Sequence, residues 1–264
     1  QVVGESSMQQ YLKIVGNGQR TARNLTSAEA ETAFTLVMEG RASLTQVAAF
    51  MAALRIKEES TEELACFGRV LRQYCQIIPT PSPYLVDICV PYDGRSRRPS
   101  MIPLAALIAA SAGAGVALHG RMGQNTPPKF GVGIGDILAA LDVPVTVSLS
   151  DAAVMLRDTP LGIAYVDVAQ FAPALERFNG VRFDYGMRSF FNTIEKLINP
   201  FNAPTSIVGV FHGTVLERVA GAMQSLGYKH GIVVQGSEGA IDVLTSRRTP
   251  IIEFSANHNA DFQF

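Results

Sequence analysis

Between residues 84 and 235 the chain repeatedly sets a short apolar run, rich in branched side chains, beside a helix-length or glycine-bearing segment. The runs are 84–90, 116–119, 143–149, 163–168, 207–211 and 232–235. Short runs without strict polar alternation suit strands buried on both faces, and the intervening lengths suit crossovers between parallel neighbours. The pattern therefore predicts an α/β domain with a mainly parallel central sheet. Residues 101–118 are apolar but hold proline, serine and several glycines. They read as a helix followed by a buried strand, because a membrane span needs roughly 18 to 20 uninterrupted apolar residues.

The first 80 residues have a different texture. Thr26 and Glu29 have the spacing of a capping box, and Ala30, Ala33, Phe34, Val37 and Met38 then fall on one helical face. Gly40 closes that helix. Leu44, Val47, Ala48, Met51 and Leu54 repeat the stripe, and Ser60 and Thr61 precede Glu62 and Glu63 at the start of a third helix running to about Tyr74. The proline-rich stretch 77–83 is a stiff connector. Helical character returns at 171–198, where Phe171, Ala174, Leu175 and Phe178 share a face. The expected organisation is a discontinuous helical domain, 1–80 plus about 170–200, beside an α/β phosphate-binding domain, 81–169 plus 201–264. A cleft between them is the default ligand site.

A net charge of −1 gives no whole-surface case for nucleic-acid binding, so any anion site must be local. Cys66, Cys75 and Cys89 lie in apolar runs without paired metal-ligand spacing, and read as buried thiols of a reducing, cytoplasmic compartment. No basic segment leads into an apolar run at the amino terminus, so a leader is not expected.

Local anion sites are legible. Asp93, Gly94, Arg95, Ser96, Arg97, Arg98 and Ser100 link the 84–90 strand to the following helix, a geometry in which backbone N–H groups and a helix end receive phosphate. A solvated basic turn is the alternative. His119, Gly120 and Arg121 follow the 116–118 strand, and His212 follows 207–211, both at carboxyl ends of strands where α/β folds gather ligands. Arg121 and Lys129 extend the 95–98 arginines into one positive strip. Arg188 and Asn192 share a helical face, while Arg182 approaches a cleft carboxylate from a turn; the alternative is a salt bridge between Arg182 or Arg188 and Asp184, Glu176 or Glu195. Glu238 and Asp242, four residues apart after the last strand, hold a magnesium-bearing phosphate or form a surface pair. His230 and His258 have no evident partner set and read as structural or exposed.

Four segments occur in an order that resembles the anthranilate phosphoribosyltransferase family, related more distantly to pyrimidine nucleoside phosphorylases. They are the helical stretch 46–63, Leu118-His119-Gly120, the Val181-Arg182 to Asn192 segment with its Gly186-Met187-Arg188-Ser189-Phe190-Phe191, and Asn199-Pro200. The resemblance covers most of the chain. It implies a helical domain, an α/β domain, a phosphoribosyl pyrophosphate site with Mg2+, an aromatic amine near the hinge, and a homodimer formed through the helical domain. On that resemblance His119 and Arg182 are the catalytic candidates, with Arg182 matching the arginine that contacts anthranilate. The family's carboxyl-terminal strands and helices extend past Phe264, so the resemblance also implies a chain cut short there.

The departures are equally specific. The family's glycine-rich pyrophosphate loop is here Val90-Pro91-Tyr92-Asp93-Gly94, its Asn-Ile-Ser-Thr is Pro99-Ser100-Met101-Ile102, and its Asp-Glu metal pair is Ile241-Asp242. Leu118 stands where the family has lysine, and Arg121 where it has asparagine. The expected activity is phosphoribosyl transfer to an aromatic amine or base through a rewritten donor loop, as in tryptophan biosynthesis. The alternative is a divergent, non-catalytic paralogue binding nucleic acid or another polyanion through an arginine-rich cleft.

Overall fold

The computed structural model describes residues 7–18, 20–90, 92–123, 131–255 and 258–263. Four helices come first: α1 (Met8–Gly16), α2 (Ser27–Met38), α3 (Leu44–Lys57) and α4 (Thr61–Gln73). Each starts where a hydroxyl side chain stands in for the missing fourth-residue partner: Ser7, Thr26, Ser43 and Ser60 accept from the first-turn amides. Thr26 with Glu29, Ser43 with Gln46, and Ser60 with Glu63 complete capping boxes. Glu63 has a further role, because it is wholly buried and also accepts from Leu25 N (2.8 Å) and Lys57 Nζ (2.7 Å).

The chain then enters the sheet: β1 (Leu85–Cys89), α5 (Ile102–Ser111), β2 (Gly115–Gly120), α6 (Ile134–Ala140), α7 (Leu149–Asp158) and β3 (Ile163–Asp167). The 171–198 segment is helical but broken into α8 (Val168–Phe171), a 3-10 turn at Pro173–Phe178, α9 (Asn179–Tyr185), α10 (Phe190–Ile194) and a second 3-10 turn. Afterwards come β4 (Thr205–Gly209), α11 (Leu216–Ser225), β5 (His230–Val234), β6 (Pro250–Ser255) and β7 (His258–Gln263). The seven-stranded sheet has the order β3-β2-β1-β4-β5-β6-β7, parallel through β5 and antiparallel in the last two pairings. The expected fold class, helices plus a mainly parallel α/β sheet, is what is found. One expected strand is not: residues 143–149 run as coil into α7, with Pro144 in the run and Ser148 serving as the α7 N-cap. Val145 still packs into the core.

Two hydrophobic layers hold the sheet. On one face a continuous core joins Cys89, Ala117, Val166, Val208 and Val233 of the strands to α1–α4, α7, α10 and α11. Its centre is aromatic: Phe190 lies 5.6 Å from Phe34, 5.8 Å from Phe50, 5.1 Å from Phe67 and 4.5 Å from Phe191, centroid to centroid. On the other face a smaller core seats α5 and α6 on Val116, Leu118 and Tyr165. Asn199 explains the Asn-Pro pair. It takes a left-handed φ of 49° and its side chain brackets Ala203, donating to its carbonyl (2.9 Å) and accepting from its amide (2.8 Å).

The strand order places a switch point at β1. From β1 the chain moves outward to β2 and β3, then returns past β1 to β4 and β5. The loops after β1 and β4 therefore leave in opposite directions and open a crevice at the strands' carboxyl ends.

Candidate functional site

A cleft of about 840 Å³ occupies that crevice. Its floor comes from Asp93 and Gly94 after β1 and from Val210, Phe211 and His212 after β4; Arg55 and Glu59 near the end of α3, with residues 186–196, close it from above. Gly94 is required there: φ is +78°, and a Cβ would lie 2.5 Å from the Gly131 carbonyl oxygen. The Arg188 guanidinium donates from Nε to the Asp93 carboxylate and lies 4.9 Å from the Phe211 ring centroid. Arg55 Nη1 donates to the Arg188 carbonyl at 2.6 Å, fixing the segment that carries it. Burial raises the Asp93 carboxyl above its ordinary value, with the Arg188 charge opposing that rise.

Two polar atoms of this roof are buried without a hydrogen-bond partner among the described residues, Ser189 Oγ and Asn192 Nδ2. Both residues line the cleft. Asn192 uses only its oxygen, accepting from Ser189 N at 3.0 Å. Unspent donors beside Arg188 suit a ligand that brings acceptor oxygens.

Lys196 completes the positive wall. Its Nζ donates to the Gly209 carbonyl at 2.5 Å, and burial pushes its pKa down to about 8, against the pull of Asp93. Because the folded value lies below the ordinary 10.5, the unfolded chain holds a proton that the folded chain has released between those limits. Stability is therefore expected to rise as pH increases from about 8 toward 10.5, while anion affinity in the cleft falls through the same interval. Denaturant unfolding and ligand titration over that range test the opposed trends. An identical profile in Lys196→Met would assign them to another group.

The 95–101 turn is arranged differently from a free phosphate loop. Arg95 is buried and pairs with Asp242 at 2.5 Å. The Glu238 carboxylate accepts from Ser96 N (2.9 Å), Arg97 N (3.1 Å) and Arg98 N (3.1 Å), and Asp242 Oδ1 accepts from Met101 N (3.0 Å). Arg97 and Arg98 extend into solvent, and Ser100 Oγ accepts from Ile102 N, at the first residue of α5, at 3.4 Å. Glu238 and Asp242 are thus turned toward backbone amides and a guanidinium. As placed, this set does not fit a magnesium ion, which needs oxygen ligands free of such cationic and N–H neighbours.

His119 and Arg182 lie behind the cleft rather than in it. His119 is fully buried: Nδ1 faces Tyr92 Oη, and Nε2 stands 2.8 Å from Cys89 Sγ and 3.2 Å from Asp87 Oδ1. Tyr92 Oη also donates to the Glu195 carbonyl at 3.1 Å. Burial alone would raise the Asp87 carboxyl, yet His119, Ser206 and Cys89 together hold it below its ordinary value. Arg182, 1% exposed, makes a two-pronged pair with Glu195, at 2.9 and 3.1 Å. Of the carboxylates open to it in the sequence, Glu195 is the partner.

The expected positive strip is also dispersed. Gly120 ends β2 within the sheet, Arg121 is buried against Glu176, Arg95 against Asp242, and Lys129 lies outside the described residues. What the fold does bring together is Asp93, Gly94, Arg97, Arg188, Asn192 and Glu238, along with His212. Sequence reasoning missed Lys196, Arg55 and Ser189. A lysine between Ile194 and Leu197 in a buried run was the available signal for the first. His230 pairs with Glu253 at 2.6 Å, and the His258 side chain is outside the described set.

Comparisons with known proteins identify the fold and the family. Residues 9–75 match the helical bundle domain of a glycosyl transferase family, and residues 101–264 match its a/b domain. The anthranilate phosphoribosyltransferase of Symbiobacterium thermophilum is 32% identical over 250 residues, covering 93% of this chain and 69% of that protein. The one from Brevibacillus brevis is 34% identical, covering 84% of this chain and 63% of that protein. The chain thus spans about two thirds of the length of these relatives. Among solved structures, the Thermus thermophilus enzyme superposes with a TM-score of 0.76 at 28% identity, covering 92% of this chain and 70% of the other. The Saccharomyces cerevisiae enzyme, solved with PRPP and Mg, has the same fold with a TM-score of 0.78 at 19% identity, covering 97% and 71%. With both domains matched in order along its length, the chain belongs to the glycosyl transferase family of the anthranilate phosphoribosyltransferases.

Proposed function

We propose that this protein binds a phosphoribosyl-bearing ligand in the switch-point cleft and serves phosphoribosyl transfer to an uncharged aromatic amine or base. One observation carries the reading: the cleft at the carboxyl ends of β1 and β4 sets Arg188 and Lys196 beside two buried, unspent donors, Ser189 Oγ and Asn192 Nδ2. Arg188 and Lys196 hold phosphate charge, and the two donors orient it. Stabilising a departing diphosphate needs fixed positive charge in a water-poor site rather than a covalent intermediate. The acceptor follows from Arg182. Its guanidinium already holds the Glu195 carboxylate, so a carboxylate-bearing acceptor has no free arginine at that position. Glu238 and Asp242 are engaged by backbone amides and Arg95 and do not present a magnesium site.

Calorimetric titration with phosphoribosyl pyrophosphate, followed by product assays with anthranilate and with aniline, tests this. Binding at micromolar to millimolar concentration, with aniline preferred over anthranilate, is the expected result. The absence of heat at millimolar ligand would sink the reading.

A second reading has its own observation. A neighbouring concavity of about 560 Å³ is bordered by Arg97, Arg98 and Arg247 around the exposed Phe211 ring, a pairing of cation and aromatic that suits single-stranded nucleic acid. Its signature is steep weakening with salt. Affinity for an oligonucleotide that is unchanged between low and physiological salt removes it.

A further inference from the structure

Glu238 is placed as a bound anion would be. Its two oxygens receive Ser96 N at 2.9 Å, Arg97 N at 3.1 and 3.2 Å and Arg98 N at 3.1 Å, with Ser96 Oγ at 3.5 Å and Arg95 Nε at 3.9 Å. Three successive amides converging on one group form the concave donor set that holds phosphate oxygens. Here the donor set and its anion belong to the same chain. Although burial alone would raise the Glu238 carboxyl, those amides and the Arg95 charge hold it below its ordinary value, so it stays ionised at neutral pH.

The backbone that delivers this carboxylate is unusual. Glu238 itself is left-handed, at φ 55° and ψ 27°, a conformation that costs a residue with a Cβ. It sits between Gly236, whose added Cβ would lie 2.2 Å from the Ala240 carbonyl oxygen, and Gly239, at φ +82°. Glu238 also stands where the two concavities meet. Together with Arg97, Phe211 and His212 it borders both the 840 Å³ cleft and the 560 Å³ cavity. Its side chain reaches from the loop after β5 to the 96–98 turn, along the border that the two spaces share.

We propose that residues 96–98 form an anion-binding nest that Glu238 keeps closed, and that a ligand phosphate or diphosphate group enters it by displacing the Glu238 carboxylate. The inference rests on the reading of the cleft as a phosphate site and extends it. The competitor is tethered, so it acts at high effective concentration, and the apparent affinity of the nest falls with the fraction of molecules in which it is open. A phosphate group offers the same amides more oxygens and more charge, next to Arg97 and Arg98. Once Glu238 has withdrawn, the cleft and the adjacent cavity become one space, long enough for a ligand with two anionic groups.

The test uses the whole chain, with inorganic pyrophosphate as the probe in metal-free buffer. Wild type, E238A, E238Q and E58A are titrated calorimetrically, and the amide signals of Ser96, Arg97 and Arg98 are followed by NMR. Glu58 also lines the cleft but accepts from Arg218 and from none of the 96–98 amides, so E58A measures the effect of losing a cleft carboxylate outside the nest. E238A should bind pyrophosphate at least ten-fold more tightly than wild type, with shifts at the three amides, while E58A changes affinity about two-fold. E238Q keeps the side-chain shape and one acceptor and should fall between. It decides by the same criterion if E238A fails to fold. Gain in E238A no larger than in E58A, or gain without shifts at 96–98, overturns the gate and leaves the cleft reading standing where wild type still binds phosphoribosyl pyrophosphate. Absence of binding to that ligand and to pyrophosphate in every variant overturns both.

Discussion

Arg182→Ala is expected to lower the unfolding free energy by about 3–5 kcal/mol, the scale for breaking a buried ion pair by removing one partner. Arg182 is 1% exposed, holds Glu195 through two hydrogen bonds, and its guanidinium lies 5.4 Å from the Phe191 ring centroid. Truncation strands the Glu195 carboxylate, itself 1% exposed, in the largest core of the protein. It also loosens the 195–197 turn, whose Glu195 carbonyl takes the Tyr92 hydroxyl and so connects to His119 and Asp87. Urea unfolding followed by fluorescence gives the change directly. The paired replacement Arg182→Met with Glu195→Leu should recover most of it, because two apolar side chains leave no charge to solvate. A single variant as stable as wild type would show that this pair is not closed in solution, and would reopen Arg182 to an acceptor carboxylate.

Arg188→Ala carries the largest expected effect on ligand affinity. Truncating one partner of a hydrogen-bonded charge pair commonly costs about 2–5 kcal/mol at a binding site, so a loss of about 100-fold for phosphoribosyl pyrophosphate is the expected result. The cleft loses the guanidinium of the residue next to Ser189. Asp93, already raised by burial, loses the partner that opposes its protonation, and its neutralisation offsets only part of that loss. Arg97→Ala is the comparison. That side chain stands in solvent at the rim and should cost only a few-fold. Equal losses in the two variants would move the phosphate from the Arg188 side of the cleft to the rim.

The architecture was legible where local pattern and burial agree. Thr26 with Glu29 and Ser60 with Glu63 announce helix starts, because a capping box satisfies amides that no tertiary contact supplies. The parallel strands show as branched runs for the same reason that they are buried on both faces. The run at 143–149 has the right composition but is interrupted by Pro144, and the fold uses it as a buried coil leading to the α7 cap. The antiparallel β6 and β7 escaped notice because the repeated strand-and-helix rhythm had already ended. In the candidate site, position after a strand leads to Asp93, Gly94 and His212, which line the cleft, since strand ends define the crevice whatever the side chain. Pairings were less legible. Arg95 with Asp242 and Ser96 with Glu238 join residues more than 140 apart, and only the sheet order brings their loops together. Charge counting saw arginines at 95–98 and could not see which of them already had partners.

The core that joins α1–α4 to one face of the sheet is continuous from Phe34 and Phe67 through Phe190 and Phe191 to Val208 and Val233. Layers fused by close-packed aromatic rings resist hinging, because sliding them apart would open voids along the whole seam. Rigid-body closure of the cleft about that seam would break these contacts, so adaptation to a ligand is expected at the rim, at Gly186, around His212 and at 237–239, rather than in the scaffold. On this view the protein would acquire or lose ligands on the timescale of loops rather than of domains, and changes in its specificity would be written in a handful of rim residues while the scaffold stayed fixed.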